Sequence, residues 1–469
     1  MARSILHAKQ PARWIRSVLV AAVASLPLFL LAACERRSIA EPDQSPTLDA
    51  DLRQQFAFWG IVPIGNVSPQ NAALVDLGRS LFFDKILSGN RDVSCATCHD
   101  PLMQAADRRS LSIGTGAAVQ GTTRTLGAGR QFTPRNAPSL LNQALGVFNL
   151  FWDGRVSEQF GVGQYRTPAG AALPSGLTSL LAVQAMFPVT NRTEMRGDAG
   201  DHDVFGAENE LARYDDAQLQ QIWDATMRRV LTINEYVAKF NAAYPGLPAS
   251  QLGFQHAANA IAAFEAQAFT HTNSPFDRYV ARQDNALSVE AKKGALLFFT
   301  RARCSSCHFG PLLGSRDFAA TATPQLGPGV GADAPLDRGI DPQFAGQTQR
   351  FMFRVPQLRN VELTAPYMHN GAYATLEAVV RHYNDVDKAV RTYDVSQLEP
   401  ALRATYHGDA GTISALLSSL DFRLRQPLNL TEDEQKQIVA FLKSLTDPAA
   451  RSLGAVTPTT VPSGLPVRP

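Results

Sequence analysis

Apolar residues return at helical intervals near both ends of the central chain. Leu74, Leu77, Leu81 and Phe82 fall on one face at i, i+3, i+7 and i+8, and Ile438, Phe441, Leu442 and Leu445 share another. The second group follows a capping box in which Thr431 caps and Glu434 reaches back. A third amphipathic stretch, TLEAVVRHYND at 375–385, ends on His382 and Tyr383, and only one of the two can point along a given face. Alternating, strand-like runs are few, and the connecting segments are rich in Gly and Pro. The pattern predicts a mostly α protein with long loops.

The helical pattern also repeats. GRSLFF at 78–83 and GALLFF at 294–299 each precede a Cys-x-x-Cys-His, while AIAAFEA at 260–266 and QIVAFLK at 437–443 share an I-x-A-F core. Two copies of one small unit, each opened and closed by a helix, account for this. We therefore expect one domain over 51–280 and a second over 281–446. The polar stretch before them, through residue 50, reads as a tether. The Pro- and Thr-rich segment 447–469 has no period and reads as a disordered tail.

With 469 residues, 45% of them hydrophobic and 18% charged, the chain is globular. Its formal charge of +2 is misleading, because Arg3, Lys9, Arg13 and Arg16 precede an apolar run that ends in small residues. That arrangement over 1–33 is an export signal. Without it 40 basic residues face 42 acidic ones, a net −2, which gives no electrostatic basis for binding nucleic acid. LAAC at 31–34 resembles the lipobox of bacterial lipoproteins, with Cys34 as the lipidated residue; the alternative is a plain signal peptide followed by a free thiol. With Glu35 next, the resemblance implies an outer-membrane anchor facing the periplasm.

The four remaining cysteines form CATCH, with Cys95, Cys98 and His99, and CSSCH, with Cys304, Cys307 and His308. This is the c-type haem attachment pattern: two thiols three positions apart reach two vinyl groups, and the next His reaches the iron. Zinc would want its cysteine pairs within about twenty residues of each other. Disulfides give no reason for the two histidines. Two covalently bound c-type haems are expected.

LGRSLFFDKILSGNRDVSCATCHD, PRNAPSLLN, FWDGR, SPFDRY, LRNVELTAPYMHNGAYATLE and IVAFLKSL occur in that order. Together they make the chain similar to the bacterial dihaem cytochrome c peroxidases, including their MauG branch. The resemblance implies two cytochrome c-type haem domains, the first binding peroxide and the second handling electrons. It also implies a ligand pattern. Thr115, in SIGTGAA, stands where the typical member has a His on the first iron, which implies an open first iron unless His202 or His256 replaces that His. Tyr383 stands fourteen residues after His369, where a Met ordinarily binds the second iron. Met368 lies inside the variable part of PYMH. Tyr383 is alternatively a helix-end aromatic with no metal.

By the same resemblance Trp152 lies between the haems as a charge relay, Glu194 is the distal acid and Pro188 shapes the distal pocket. Trp152 as plain core and Glu194 as a solvated loop acid are the bland readings. Asn136, Thr364 and Pro366 match a calcium site, and His369 either meets a haem propionate or serves its turn. Stretches 163–186 and 197–216 look like insertions. The implied activity is reduction of hydrogen peroxide with charge passing to a redox partner protein. Its alternatives are MauG-like oxidation of side chains on a protein substrate and a non-catalytic electron carrier.

Overall fold

The computed structural model describes residues 45–121, 123–159, 163–340 and 350–468. The expected leader and Cys34 lie outside these residues. Two crossed helix pairs organise the molecule: Ala72–Phe83 crosses Phe254–Ala268, and Val289–Phe299 crosses Glu432–Ser444. Asn71 and Ser288 cap the two opening helices, and Thr431 with Glu434 forms the capping box on the last.

Each crossing closes on a glycine. A Cβ on Gly78 would stand 1.8 Å from the Ala260 carbonyl oxygen, and one on Gly294 would stand 1.8 Å from that of Gln437. Only hydrogen lets these backbones meet. The glycine that opens each repeated hexapeptide is therefore a packing requirement.

Around the first crossing Phe82, Phe83, Phe264 and Phe269 are buried with Trp223, Tyr236 and Phe240. Around the second, Phe276, Phe298, Phe299 and Phe441 form edge-to-face pairs, with Tyr279 buried beside them. Two small antiparallel sheets lie outside these helices. In one, β1 (Asn149–Leu150) pairs with β2 (Val156–Glu158), which pairs with β3 (Tyr165–Arg166). In the other, β4 (Phe318–Ala320) pairs with β5 (Met352–Arg354), placing Ala319 opposite Phe353. Trp152 sits in the β1–β2 turn, and its carbonyl accepts the Arg354 backbone N–H at 2.9 Å, tying the two sheets together.

The ends of the chain are exchanged between the cores, and this corrects three sequence expectations. Residues 45–50 are not tether: they begin a helix, Ser45–Trp59, whose Leu52 and Phe56, with Ile61 beyond, pack against Phe276, Tyr279 and Phe299 of the second core. Pro275–Val280 joins that core too, so the first unit does not extend over 51–280. Nor is 447–469 disordered: Ala450, Leu453, Val461 and Leu465 are buried in the first core, and Ser463 Oγ donates to Asp84 Oδ1 at 2.6 Å. The tail escaped periodic analysis because short 3-10 turns, Pro448–Arg451 and Gly454–Val456, present its apolar residues without a regular spacing.

Candidate haem cavities and the wall between them

The first attachment motif opens on Ser94, whose N–H is held by Thr97 Oγ1 at 2.9 Å. Cys95 and Cys98 carry free thiols and line, with His99, a cavity of about 920 Å³, within the size range of cofactor sites. His99 Nδ1 donates to the Ala105 carbonyl at 3.3 Å, which leaves Nε2 as the free lone pair; burial pushes the imidazole down to about 4, so it is neutral. The second motif repeats the device. His308 Nδ1 donates to the Leu313 carbonyl at 3.0 Å, the imidazole is likewise held neutral by burial, and Cys304, Cys307 and His308 line a second cavity. Two thiols and one oriented imidazole at each cavity are what a c-type haem requires, so the residues present fit the group.

Glu194, Pro188 and Trp152 all line the first cavity. Pro188 begins a 3-10 turn, and Glu194 lies in the π-helical turn Arg192–Arg196, where its N–H donates to Asn191 Oδ1 at 3.0 Å. Burial raises the Glu194 carboxyl above the usual range, with Arg155 and Arg135 opposing the rise. That suits a group that must both take and return a proton.

Thr115 does not line the cavity among the described residues. Its hydroxyl donates to Asp92, and its N–H donates to the Glu194 carbonyl at 3.0 Å. Neither candidate replacement lines the cavity: His202 forms an isolated bridge with Glu208, and His256 stacks edge-on to Tyr244 at 4.9 Å. His99 is the single histidine among the described lining residues.

Tyr383 lines the second cavity, its phenol pushed up by burial, and Met368 and His369 line it as well. The His369 ring stacks on Phe353 at 3.5 Å with Nε2 unpartnered. His382 does not line the cavity, so the two neighbours in RHYND do point to different places.

Trp152, Asn136 and Arg354 line both cavities and form the wall between them. The Trp152 indole N–H donates to the Asn136 carbonyl at 2.9 Å. Asn136 Nδ2 donates to the Arg109 carbonyl at 2.7 Å, which leaves its side-chain oxygen for another partner. Thr364 and Pro366 line the second cavity beside it, and no cluster of three or more His, Cys, Asp or Glu able to hold a metal occurs among the described residues.

Two arginines at these cavities were not singled out from sequence. Arg135, half-buried, lies between Asp153 and Asp337, which hold it firmly charged. Arg354 is 4% exposed, its Nε has no partner, and burial pushes its guanidinium down to about 10. A buried cation without a carboxylate calls for an anion from outside the chain, and the carboxylates of a bound haem are of that kind. Arg135 lies in the PRNAP quoted above, whereas Arg354 lies just before LRNVEL, and a charged residue outside any periodic pattern carries no signal of burial.

The description "Di-haem cytochrome c peroxidase" matches residues 72–285. The chain is 27% identical over 426 residues to the methylamine utilization protein MauG of Methylorubrum extorquens, covering 91% of this chain and 93% of that protein. It is 32% identical over 309 residues to the cytochrome c551 peroxidase of Pseudomonas aeruginosa, covering 65% of this chain and 70% of that one. A crystal structure of a MauG-like protein associated with microbial copper homeostasis superposes with a TM-score of 0.54 at 25% identity, over 83% of this chain and 95% of that one. The diheme peroxidase BthA from Burkholderia thailandensis E264 shares the fold, with a TM-score of 0.52 at 23% identity over 87% and 96% of the two chains. With two attachment motifs, each beside a cavity that accepts its haem, the chain belongs to the di-haem cytochrome c peroxidase family of oxidoreductases.

Proposed function

We propose that the protein reduces hydrogen peroxide at the first haem and that charge crosses to the second haem through Trp152. Held by Cys95, Cys98 and His99, a haem would supply an iron able to bind peroxide and take up its oxidising equivalents. Glu194 accepts a proton from the bound peroxide and returns it to the departing oxygen, so that water leaves. Pro188 and the turn it starts would narrow the cavity beside Glu194. Trp152 gives an electron to the first side and takes one from the second, ending unchanged. The observation that carries this reading is the position of Trp152, on the wall common to both cavities.

His99 as the single histidine lining the first cavity among the described residues, and Tyr383 lining the second, favour a resting enzyme that reacts without prior reduction. A phenolate on the second iron stabilises its oxidised states, whereas a thioether would favour the reduced one. This supports MauG-like oxidation of a protein substrate as the second reading. Low-temperature electron paramagnetic resonance of the resting ferric protein tests the coordination: one high-spin and one low-spin haem are expected. Two low-spin signals, with no optical change on stoichiometric peroxide, would instead mark an electron carrier.

Asn136, Thr364 and Pro366 are proposed to hold calcium through the free Asn136 side-chain oxygen, carbonyl oxygens and water, a donor set suited to a hard cation. Export to the periplasmic side and a lipid on Cys34 are proposed from the leader. Loss of membrane partitioning in a Cys34→Ala variant is the expected result.

A further inference from the structure

The second cavity has an aromatic route to the surface. Tyr383, in the cavity wall, lies 5.3 Å from the His382 ring, and His382 lies 5.1 Å from Tyr373. Tyr373 is followed by Tyr393 at 5.6 Å, and Tyr393 by Tyr406 at 5.1 Å, each a ring contact. Tyr373 and His382 are 4% and 0% exposed, while Tyr393 and Tyr406 are half-buried. The row thus runs from the interior outward. The Tyr406 ring rests against Gly408, where a Cβ would stand 2.2 Å from it.

Hydrogen bonds along the row are directional. His382 Nε2–H donates to the Thr321 carbonyl at 2.8 Å, so Nδ1 is the acceptor for the Tyr373 hydroxyl at 2.8 Å. A buried phenol paired with an imidazole lone pair has somewhere to leave its proton when it loses an electron. Plain core packing needs none of this, and a phenylalanine at 373 would fill the same space.

We propose that Tyr373, Tyr393 and Tyr406 form a conduit by which the oxidising equivalents reach the surface, where Tyr406 oxidises phenols one electron at a time. This rests on the peroxidase reading above. Tyr373 gives an electron toward the second haem and its proton to His382 Nδ1. An electron from Tyr393 then restores Tyr373, which recovers its proton from His382; half-buried Tyr393 gives its proton to water and takes one back when Tyr406 supplies an electron, and Tyr406 likewise gives its proton to water. Tyr406 takes one electron and one proton from an outside phenol, leaving a phenoxyl radical. Two such events supply the two electrons and two protons that turn one hydrogen peroxide into two waters.

The test uses the haem-loaded protein with peroxide and guaiacol as the phenol. Tyr406→Phe and Tyr373→Phe should each oxidise guaiacol about tenfold more slowly than wild type. The optical response of the haems to peroxide alone should keep its wild-type rate in Tyr406→Phe, which lies far along the row from the cavity. A nitroso spin trap should label Tyr406 in wild type, located by mass spectrometry, and should lose that label in Tyr373→Phe. Wild-type guaiacol oxidation in either variant, or a trap label on Tyr406 that survives Tyr373→Phe, overturns the conduit while leaving peroxide chemistry standing. Haems of the wild type that do not respond to peroxide overturn the peroxidase reading, and the conduit with it.

Discussion

The hydroxyl of Thr115 donates to Asp92 Oδ1 at 2.7 Å, and the following amide, Gly116 N–H, donates to Asp92 Oδ2 at 2.7 Å. One buried carboxylate thereby fixes the loop whose backbone also carries Glu194, through Thr115 N–H. Thr115→Val removes a charge-assisted hydrogen bond and leaves Asp92 short of a donor. The expected cost is about 1.5–3 kcal/mol, read from denaturant unfolding of the variant and wild type. An unchanged midpoint would show that Asp92 does not depend on this hydroxyl.

Glu194→Gln keeps the shape of the distal pocket but removes the proton carrier. Its reaction with peroxide, followed by stopped-flow absorbance, should slow by about 10²–10⁴-fold. A wild-type rate would assign the acid–base role elsewhere.

Trp152→Phe should leave the response of the first haem to peroxide intact and slow that of the second by about tenfold or more. Because the indole N–H donates to an amide carbonyl, which is a poor base, the ring has no ready acceptor for its proton and can be reduced again. Equal rates for both haems in the variant would show that charge crosses the wall without the indole.

Glu265, on the Phe254–Ala268 helix, is a buried acid in the first cavity wall with Oε2 unpartnered; burial alone raises its carboxyl to about 8, against about 4.3 in an unfolded chain. Since the folded value is the higher one, the contribution to stability is complete below the unfolded value and is lost as pH climbs through the folded one. Wild-type stability should therefore fall between about pH 4.3 and 8 relative to Glu265→Gln. Parallel curves for the two proteins across that window would refute it.

Gly294→Ala sets a methyl group against the Gln437 carbonyl and should destabilise by about 3 kcal/mol, because neither helix backbone can withdraw. Gly65→Ala, with nothing within 4 Å of its Cβ, is the control and should change stability by less than about 0.5 kcal/mol. Thermal unfolding of the two variants compares them directly.

Much of this organisation is legible in the sequence because it follows local rules. The capping box and the two Cys-x-x-Cys-His motifs depend on residues close together in the chain, and resemblance carried Trp152, Glu194 and Tyr383 to cavity walls. What stayed hidden depends on distant neighbours. Arg354 becomes a buried cation only when β5 packs behind Trp152. Asp92 matters only once the loop at 115 folds over it. The Tyr373–His382 pair was invisible because its two rings belong to a turn and to the following helix, and no spacing rule joins them.

The exchange of chain ends also bears on how the protein matures. Residues 45–61 find their place only against elements near 276–299, and residues 450–465 only against elements near 82–87. These contacts span most of the sequence, so the closing steps of folding carry a large loop entropy and come late. Residues 450–465, which follow both helix pairs in the sequence, are also the ones that complete the first core. Until they dock, the core of the half that holds Cys95 and Cys98 lacks part of its packing.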